Sequence, residues 1–267
     1  MMSRISRLFQ STPLGAGGHG ILNVYCTAVY PQLNSTIDVM QALQKNGADI
    51  IELGMPYSDP LADGPVIQQS SSVALANGMT IKKLFEQLKD CRNKIDVPLI
   101  LMGYLNPVLQ YGLEKFCAEA AASGIDGIIL PDLPMYEFER DYKDIFQKHN
   151  LDFIFLITPE TSEERIRKID TLSTGFVYAV SSSSITGSDK DLIAQEDYFK
   201  RIEAMHLNNP VMIGFGIRDN KTFLQACKHA AGAIIGTAYI RALEKSDDVE
   251  SATAAFLNSI LQPSPSA

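Results

Sequence analysis

The chain has 267 residues, 46% of them hydrophobic, with 31 acidic side chains against 23 Lys and Arg and a net charge of −8. That balance argues against nucleic acid as the main partner, because a phosphate backbone is bound by basic surface. A local anion site built from backbone N–H groups stays open. No apolar run approaches the roughly 18 residues of a membrane span, so a soluble, cytoplasmic protein without a membrane partner is expected.

The N-terminal MMSRISRLFQST lacks an apolar signal core and reads as a short amphipathic helix within a lead-in of residues 1–20. Gly15-Ala16-Gly17-Gly18-His19-Gly20 resembles a nucleotide loop but precedes the first strand and lacks the Gly-Lys-Ser/Thr ending, so it reads as a flexible lead-in. Eight short apolar runs then read as strands: Ile21–Thr27, Asp49–Gly54, Pro98–Met102, Gly127–Leu130, Phe153–Thr158, Phe176–Val180, Val211–Gly214 and Ala233–Gly236. Their near-uniform apolarity suits strands buried on both faces.

Between and after them lie amphipathic stretches, predicted as helices over Ile37–Lys45, Ile81–Cys91, Leu113–Ser123, Glu137–His149, Ser162–Leu172, Tyr198–His206, Asn220–Ala230 and Val249–Leu261. Gly47, Gly124 and Gly232 each stand just past a helix, where a left-handed residue closes the C-terminus. Strand–helix alternation of this kind points to a parallel sheet. No linker divides the chain, and residues 262–267 read as a frayed tail. The predicted fold is α/β: a single (β/α)8 TIM barrel over 1–267 with a short N-terminal helix.

Cys26, Cys91, Cys117 and Cys227 form no CxxC and read as reduced packing residues, although Cys26 follows the first strand closely enough to line a site. His19, His149, His206 and His229 share no motif spacing, and no metal site is expected. The run Ser181–Ser184 lacks the context of a nucleophilic serine.

In such a barrel, chemistry sits at the C-terminal ends of the strands. Glu52 lies among Ile50, Ile51 and Leu53 near the end of the second strand, where an ionised carboxylate is costly to bury. It is either paired or has its pKa raised for acid–base work. Asp63 follows in a loop stiffened by three prolines, and the two carboxylates are candidates for a catalytic pair with distinct tasks. Ile185-Thr186-Gly187, Gly214-Phe215-Gly216-Ile217 and Gly236-Thr237-Ala238 follow the last three strands and together suggest a phosphate cradle.

The run from Glu52 to Gln68, ELGMPYSDPLADGPVIQ, closely resembles the signature of the tryptophan synthase α-subunit family. GYLNPV at 103–108, GIDGIILPDLP at 124–134, FLITPETSEERI at 155–166, GFGI at 214–217 and GAIIGTAYIRALE at 232–244 follow in order and extend the resemblance over nearly the whole chain. It implies a lyase, grouped by its overall reaction with the carbon–oxygen lyases. The reaction of this subunit is the retro-aldol cleavage of indole-3-glycerol phosphate to indole and glyceraldehyde 3-phosphate, late in tryptophan biosynthesis.

By that resemblance Glu52 is the catalytic glutamate, and Asp63 binds the indole N–H and stabilises positive charge on the ring. Tyr25, Ile67, Tyr104, Leu130 and Phe215 wall the indole pocket. Gly187, Gly216, Gly236 and Thr237 bind the phosphate, and Thr186 is a lid residue that contacts the aspartate. It further implies a β subunit that carries pyridoxal phosphate, in an α2β2 heterotetramer. Segments 56–63, 106–112 and 133–136 would form the interface, and no cofactor is expected in this chain.

The sequence departs from the family pattern in the loop after the sixth strand, where Ser182-Ser183-Ser184-Ile185-Thr186-Gly187 replaces the usual Arg-x-Gly-Val-Thr-Gly. Val29 stands where a glycine is common, and Tyr25 and Tyr57 stand where phenylalanine is common. Alternative readings are a stand-alone indole-3-glycerol phosphate lyase, a weakly active subunit kept to activate β, or another phosphate-binding barrel of the same pathway.

Overall fold

All seven residues of Ile21–Thr27 are buried in one strand, β1, as a strand at the centre of a parallel sheet with both faces covered must be. The computed structural model describes residues 2–11, 20–181, 189–214 and 216–262. Eight further strands follow: β2 (Ile50–Gly54), β3 (Leu99–Met102), β4 (Gly127–Ile129), β5 (Asp152–Phe153), β6 (Leu156–Ile157), β7 (Val177–Val180), β8 (Val211–Gly214) and β9 (Gly232–Ile235). They pair in the order β5-β4-β3-β2-β1-β9-β8-β7-β6, every pair parallel.

The two ends of that order belong to one extended stretch. The Ile154 N–H donates to the Ile128 carbonyl at 3.0 Å, and the Phe155 carbonyl accepts from the Tyr178 N–H at 3.0 Å. Residues 152–157 thus bond β4 with their first half and β7 with their second. The fifth predicted strand is split in two, and through it the sheet closes into a (β/α)8 barrel.

Side chains alternate along each strand, so Ile21, Ile50, Ile100, Ile129, Ile154 and Ile234 converge in one apolar cluster, distinct from the core beneath the helices. The helix Arg4–Ser11 closes the bottom: its Ile5 is fully buried in that cluster, and Phe9 packs on Phe176 with ring centroids 6.1 Å apart. Asp126 ties this helix to the barrel. Its Oδ1 accepts from Arg4 at 2.9 Å, and its Oδ2 accepts from the Arg92 guanidinium and from the Leu99 N–H.

Several boundaries differ from expectation. The helix expected over Tyr198–His206 begins at Asp189 and ends at Ala204. That expected over Glu137–His149 begins at Met135 and passes through a wider π-turn at Phe138–Tyr142. Helices at Pro65–Ala76, Leu105–Tyr111 and Thr237–Glu244 were not predicted. Pro65 reads as loop but sits at the first helical turn, where its missing N–H costs nothing.

Gly47 and Gly124 take positive φ past their helices, as expected, at 103° and 78°. Gly232 does not: it opens β9 pressed against the Ile21 backbone, where any side chain would collide. Cys26, Cys91 and Cys117 are buried free thiols and Cys227 is partly buried. Among the described residues no helix is long and apolar enough to cross a membrane.

Candidate active site

β1 and β2 run in parallel register with Tyr25 opposite Glu52. The inward parity of Ile50 therefore carries Glu52 into the barrel, where it is only 1% exposed. Its Oε2 accepts a hydrogen bond from Asn23 Nδ2 at 3.0 Å. Burial pushes the Glu52 carboxyl up to about 8; the Asn23 bond opposes that rise, and the nearby Asp63 charge adds to it.

Asp63 is set by the turn that follows β2. Its N–H donates to the Pro60 carbonyl at 3.1 Å, and its carbonyl accepts from Gln68 Nε2 at 2.9 Å. The Tyr104 hydroxyl donates to Asp63 Oδ2 at 2.9 Å and accepts from the Ala62 N–H at 3.0 Å. Burial raises the Asp63 carboxyl above its ordinary value, and the Tyr104 bond works against that rise by favouring the ionised form.

Glu52 and Asp63 share one cavity at the C-terminal ends of the strands, together with Tyr25, Ile67, Gly216, Gly236 and Thr237. Tyr104 reaches it through Asp63, whereas Leu130 is buried and is not among the residues that line it. Thr186, Gly187 and Phe215 lie outside the described residues, as do most of the glycine-rich lead-in, residues 182–184 of the serine run, and 263–267. Cys26 is buried in the core and does not line the cavity. The hydroxyl of Tyr57 is satisfied by Asn106 Nδ2 at 3.2 Å.

Of the residues expected to cradle phosphate, Gly216, Gly236 and Thr237 line the cavity. Gly216 has φ of 76°, and a Cβ there would meet nothing within 4 Å among the described residues. Gly236 and Thr237 open the helix Thr237–Glu244 and line the cavity, so the positive end of that helix dipole lies at the cavity edge.

Met102, Tyr178, Ile217 and Ile234 complete the lining among the described residues; Ile217 belongs to an expected cradle segment, whereas Met102, Tyr178 and Ile234 were missed from sequence, as was Asn23. Inward parity was the available signal for Asn23, two residues before Tyr25, and for Met102, two after Ile100. Glycines make room for the aromatic walls: a Cβ on Gly54 would collide with the Tyr25 hydroxyl, and one on Gly214 with the Tyr178 ring.

The family model described as "Tryptophan synthase alpha chain" matches residues 15–263. The chain is 56% identical to the tryptophan synthase alpha chain of Flavobacterium psychrophilum over 84% of its length and 88% of that protein's. It is 49% identical to that of Phocaeicola vulgatus, covering 97% and 99%. Its backbone is similar to the crystal structure of tryptophan synthase subunit alpha from Legionella pneumophila, with a TM-score of 0.87, 36% identity and 98% of both chains covered. It is also similar to a chain in the aminoacrylate-bound form of tryptophan synthase from M. tuberculosis, with a TM-score of 0.84, 31% identity, and 97% and 98% covered.

Proposed function

The chain belongs to the tryptophan synthase alpha chain family, and we propose that Glu52 and Asp63 divide the proton work of cleaving indole-3-glycerol phosphate into indole and glyceraldehyde 3-phosphate. The observation that carries this reading is the placement of two carboxylates in one cavity with different surroundings. Glu52 is buried with its carboxyl raised to about 8, whereas Asp63 is held by a hydroxyl donor.

Substrate C3 carries no hydrogen and product indole does, so the reaction needs a proton at C3 and loses one from the adjacent side-chain hydroxyl. With its carboxyl raised to about 8, Glu52 is mostly protonated at pH 7. It gives its proton to C3, forming an indolenine that accepts the electrons of the breaking C–C bond. The resulting carboxylate takes the hydroxyl proton as the aldehyde forms, which restores neutral Glu52. Asp63 accepts from the indole N–H and stabilises the positive charge that grows there.

Tyr25 and Ile67 flank the apolar ring, Gly216, Gly236 and Thr237 meet the phosphate, and Tyr104 acts through Asp63. The expected roles of Leu130, Phe215, Thr186 and Gly187 rest on the family resemblance. The overall reaction, completed with a β subunit, groups the enzyme with carbon–oxygen lyases. We place the pyridoxal phosphate in that partner, the assembly as α2β2, and the protein in the cytoplasm. Leu61 and Tyr136, 92% and 66% exposed, support docking of β over 56–63 and 133–136, with 106–112 beside them.

The test is indole release from indole-3-glycerol phosphate by wild type and Glu52→Gln, each with and without β. Release that rises with β and vanishes in the variant is expected. Near-wild-type release by Glu52→Gln overturns the catalytic assignment, and release indifferent to β overturns the coupling.

A further inference from the structure

Asn23 lies on β1 with its side chain in the barrel interior, on the same face as Ile21 and Tyr25, and is fully buried. In register beside it stand Ile50 of β2 and Ile234 of β9, which with Ile21 and Ile100 belong to an isoleucine layer inside the barrel. An aliphatic side chain at position 23 would continue that layer at no desolvation cost, whereas an amide must be hydrogen-bonded to be tolerated there. Only half of the amide is satisfied. Nδ2 donates to Glu52 Oε2 at 3.0 Å, while Oδ1 has no partner among the described residues. The half that is paired is the half that holds the carboxylate named above as the proton carrier.

We propose that Asn23 is the positioning residue of Glu52: its amide N–H fixes Oε2, so that the proton Glu52 exchanges with substrate is carried on Oε1. The inference rests on the reading of Glu52 as catalytic. An amide N–H only donates, so a neutral Glu52 keeps its proton away from the bond it accepts at Oε2. Asn23 thereby fixes both the rotamer of the carboxyl and the oxygen that works. It also favours the charged form, since a donor bonded to a carboxylate lowers its pKa.

Among the described residues the other ionisable groups near Glu52 are Asp63 from the loop after β2, Tyr25 from β1 and Tyr178 from β7, with Cys26 of β1 on the opposite face of its strand. Asp63 raises the carboxyl. The two tyrosines and the cysteine are themselves pushed well above their ordinary values, chiefly by burial, and stay neutral over the range in which Glu52 titrates. Asn23 is thus the one named neighbour that pulls Glu52 downward.

The experiment compares wild type, Asn23→Leu, Asn23→Ala and Asn23→Ser. The Glu52 midpoint is read from its carboxyl infrared band in difference from Glu52→Gln, and kcat and KM for indole release are read across pH. Loss of the donor in Leu and Ala should raise the midpoint by about one unit or more. It should lower kcat roughly tenfold and leave KM within about twofold, as removal of an interaction with the reacting group does. Asn23→Ser, which restores a donor, should fall between Ala and wild type in midpoint. If Leu does not fold, the Ala and Ser pair decides.

Equal midpoints in wild type, Ala and Ser, with only thermal stability changed, would reduce Asn23 to packing and overturn the proposal. Full activity in Glu52→Gln would instead overturn the assignment of Glu52, so the two failures are distinguishable.

Discussion

The Tyr104 hydroxyl is clamped between Asp63 and the backbone beside it, donating to Asp63 Oδ2 at 2.9 Å while accepting from the Ala62 N–H at 3.0 Å. The ring is pinned as well, against Tyr57 at a centroid distance of 5.4 Å. Tyr104 therefore sets both the loop that carries Asp63 and the direction of its carboxylate. Tyr104→Phe keeps the ring and loses both bonds. A hydrogen bond to a charged group contributes about 1.5–3 kcal/mol, so kcat/KM for indole release should fall roughly ten- to a hundredfold. Steady-state kinetics on the variant check this, and an unchanged kcat/KM would remove Tyr104 from the positioning of Asp63.

Glu52 makes stability depend on pH in a direction opposite to the usual carboxylate. Its ordinary value of 4.5 is raised in the folded protein to about 8. Below 4.5 both folded and unfolded chains hold the proton. Between the two values the unfolded chain releases it and the folded chain keeps it, so this residue's contribution declines as pH rises and levels off above 8. The cost at the top is on the order of 4–5 kcal/mol. Glu52→Gln has no such titration. Urea unfolding should show the variant gaining on wild type between pH 5 and pH 9, while its indole release is abolished at every pH.

The same carboxylate shows how far the sequence could be read. Glu52 stood out because an acid among Ile50, Ile51 and Leu53 has no cheap place to go, and strand alternation puts it on the face of Ile50. Asn23 did not stand out: one amide in Ile21–Thr27 is ordinary for a strand edge, and only the pairing of β1 with β2 brings it to Glu52. Tyr178 was hidden for a related reason, since an aromatic in a buried strand reads as core until the barrel closes around it. The break at Ile154 and Phe155 was invisible because both halves of the stretch are equally apolar. What alternation encodes along one strand was legible, and what closure brings together across strands was not.

Gly54 ends β2 under the Tyr25 ring, and Gly214 ends β8 under that of Tyr178. Both rings wall the cavity beside Glu52, so a single methyl group at either glycine pushes an aromatic toward the substrate. Overpacking a buried position costs about 1–3 kcal/mol. Gly54→Ala should lose that much in urea unfolding at pH 7 and should raise KM for indole-3-glycerol phosphate severalfold or more. Gly78, where a Cβ would meet nothing within 4 Å, is the control for crowding, although its φ of 92° makes any side chain there locally strained. Gly78→Ala should lose stability without the rise in KM, and equal KM values in the two variants would exclude crowding of the ring as the cause.

The bottom of the barrel should separate stability from catalysis. Asp126 is 5% exposed and joins Arg4 of the first helix to Arg92, so replacing it leaves the partly buried Arg92 guanidinium without its charge partner and the Leu99 N–H without its acceptor. Removing one member of a buried pair costs about 3–5 kcal/mol, and the 40% exposure of Arg4 places this case near the lower end. Asp126→Ala should therefore lose roughly 3 kcal/mol by urea unfolding. Ile5→Ala, which empties a fully buried place in the isoleucine cluster, should lose a similar about 2–5 kcal/mol. Glu52 and Asp63 sit at the opposite end of the strands, and neither is bonded to Asp126 or Ile5. Both variants should thus keep kcat within about twofold of wild type wherever they remain folded. A large drop in kcat in folded Asp126→Ala would mean that the N-terminal helix reaches the chemistry through the barrel rather than only closing it from below.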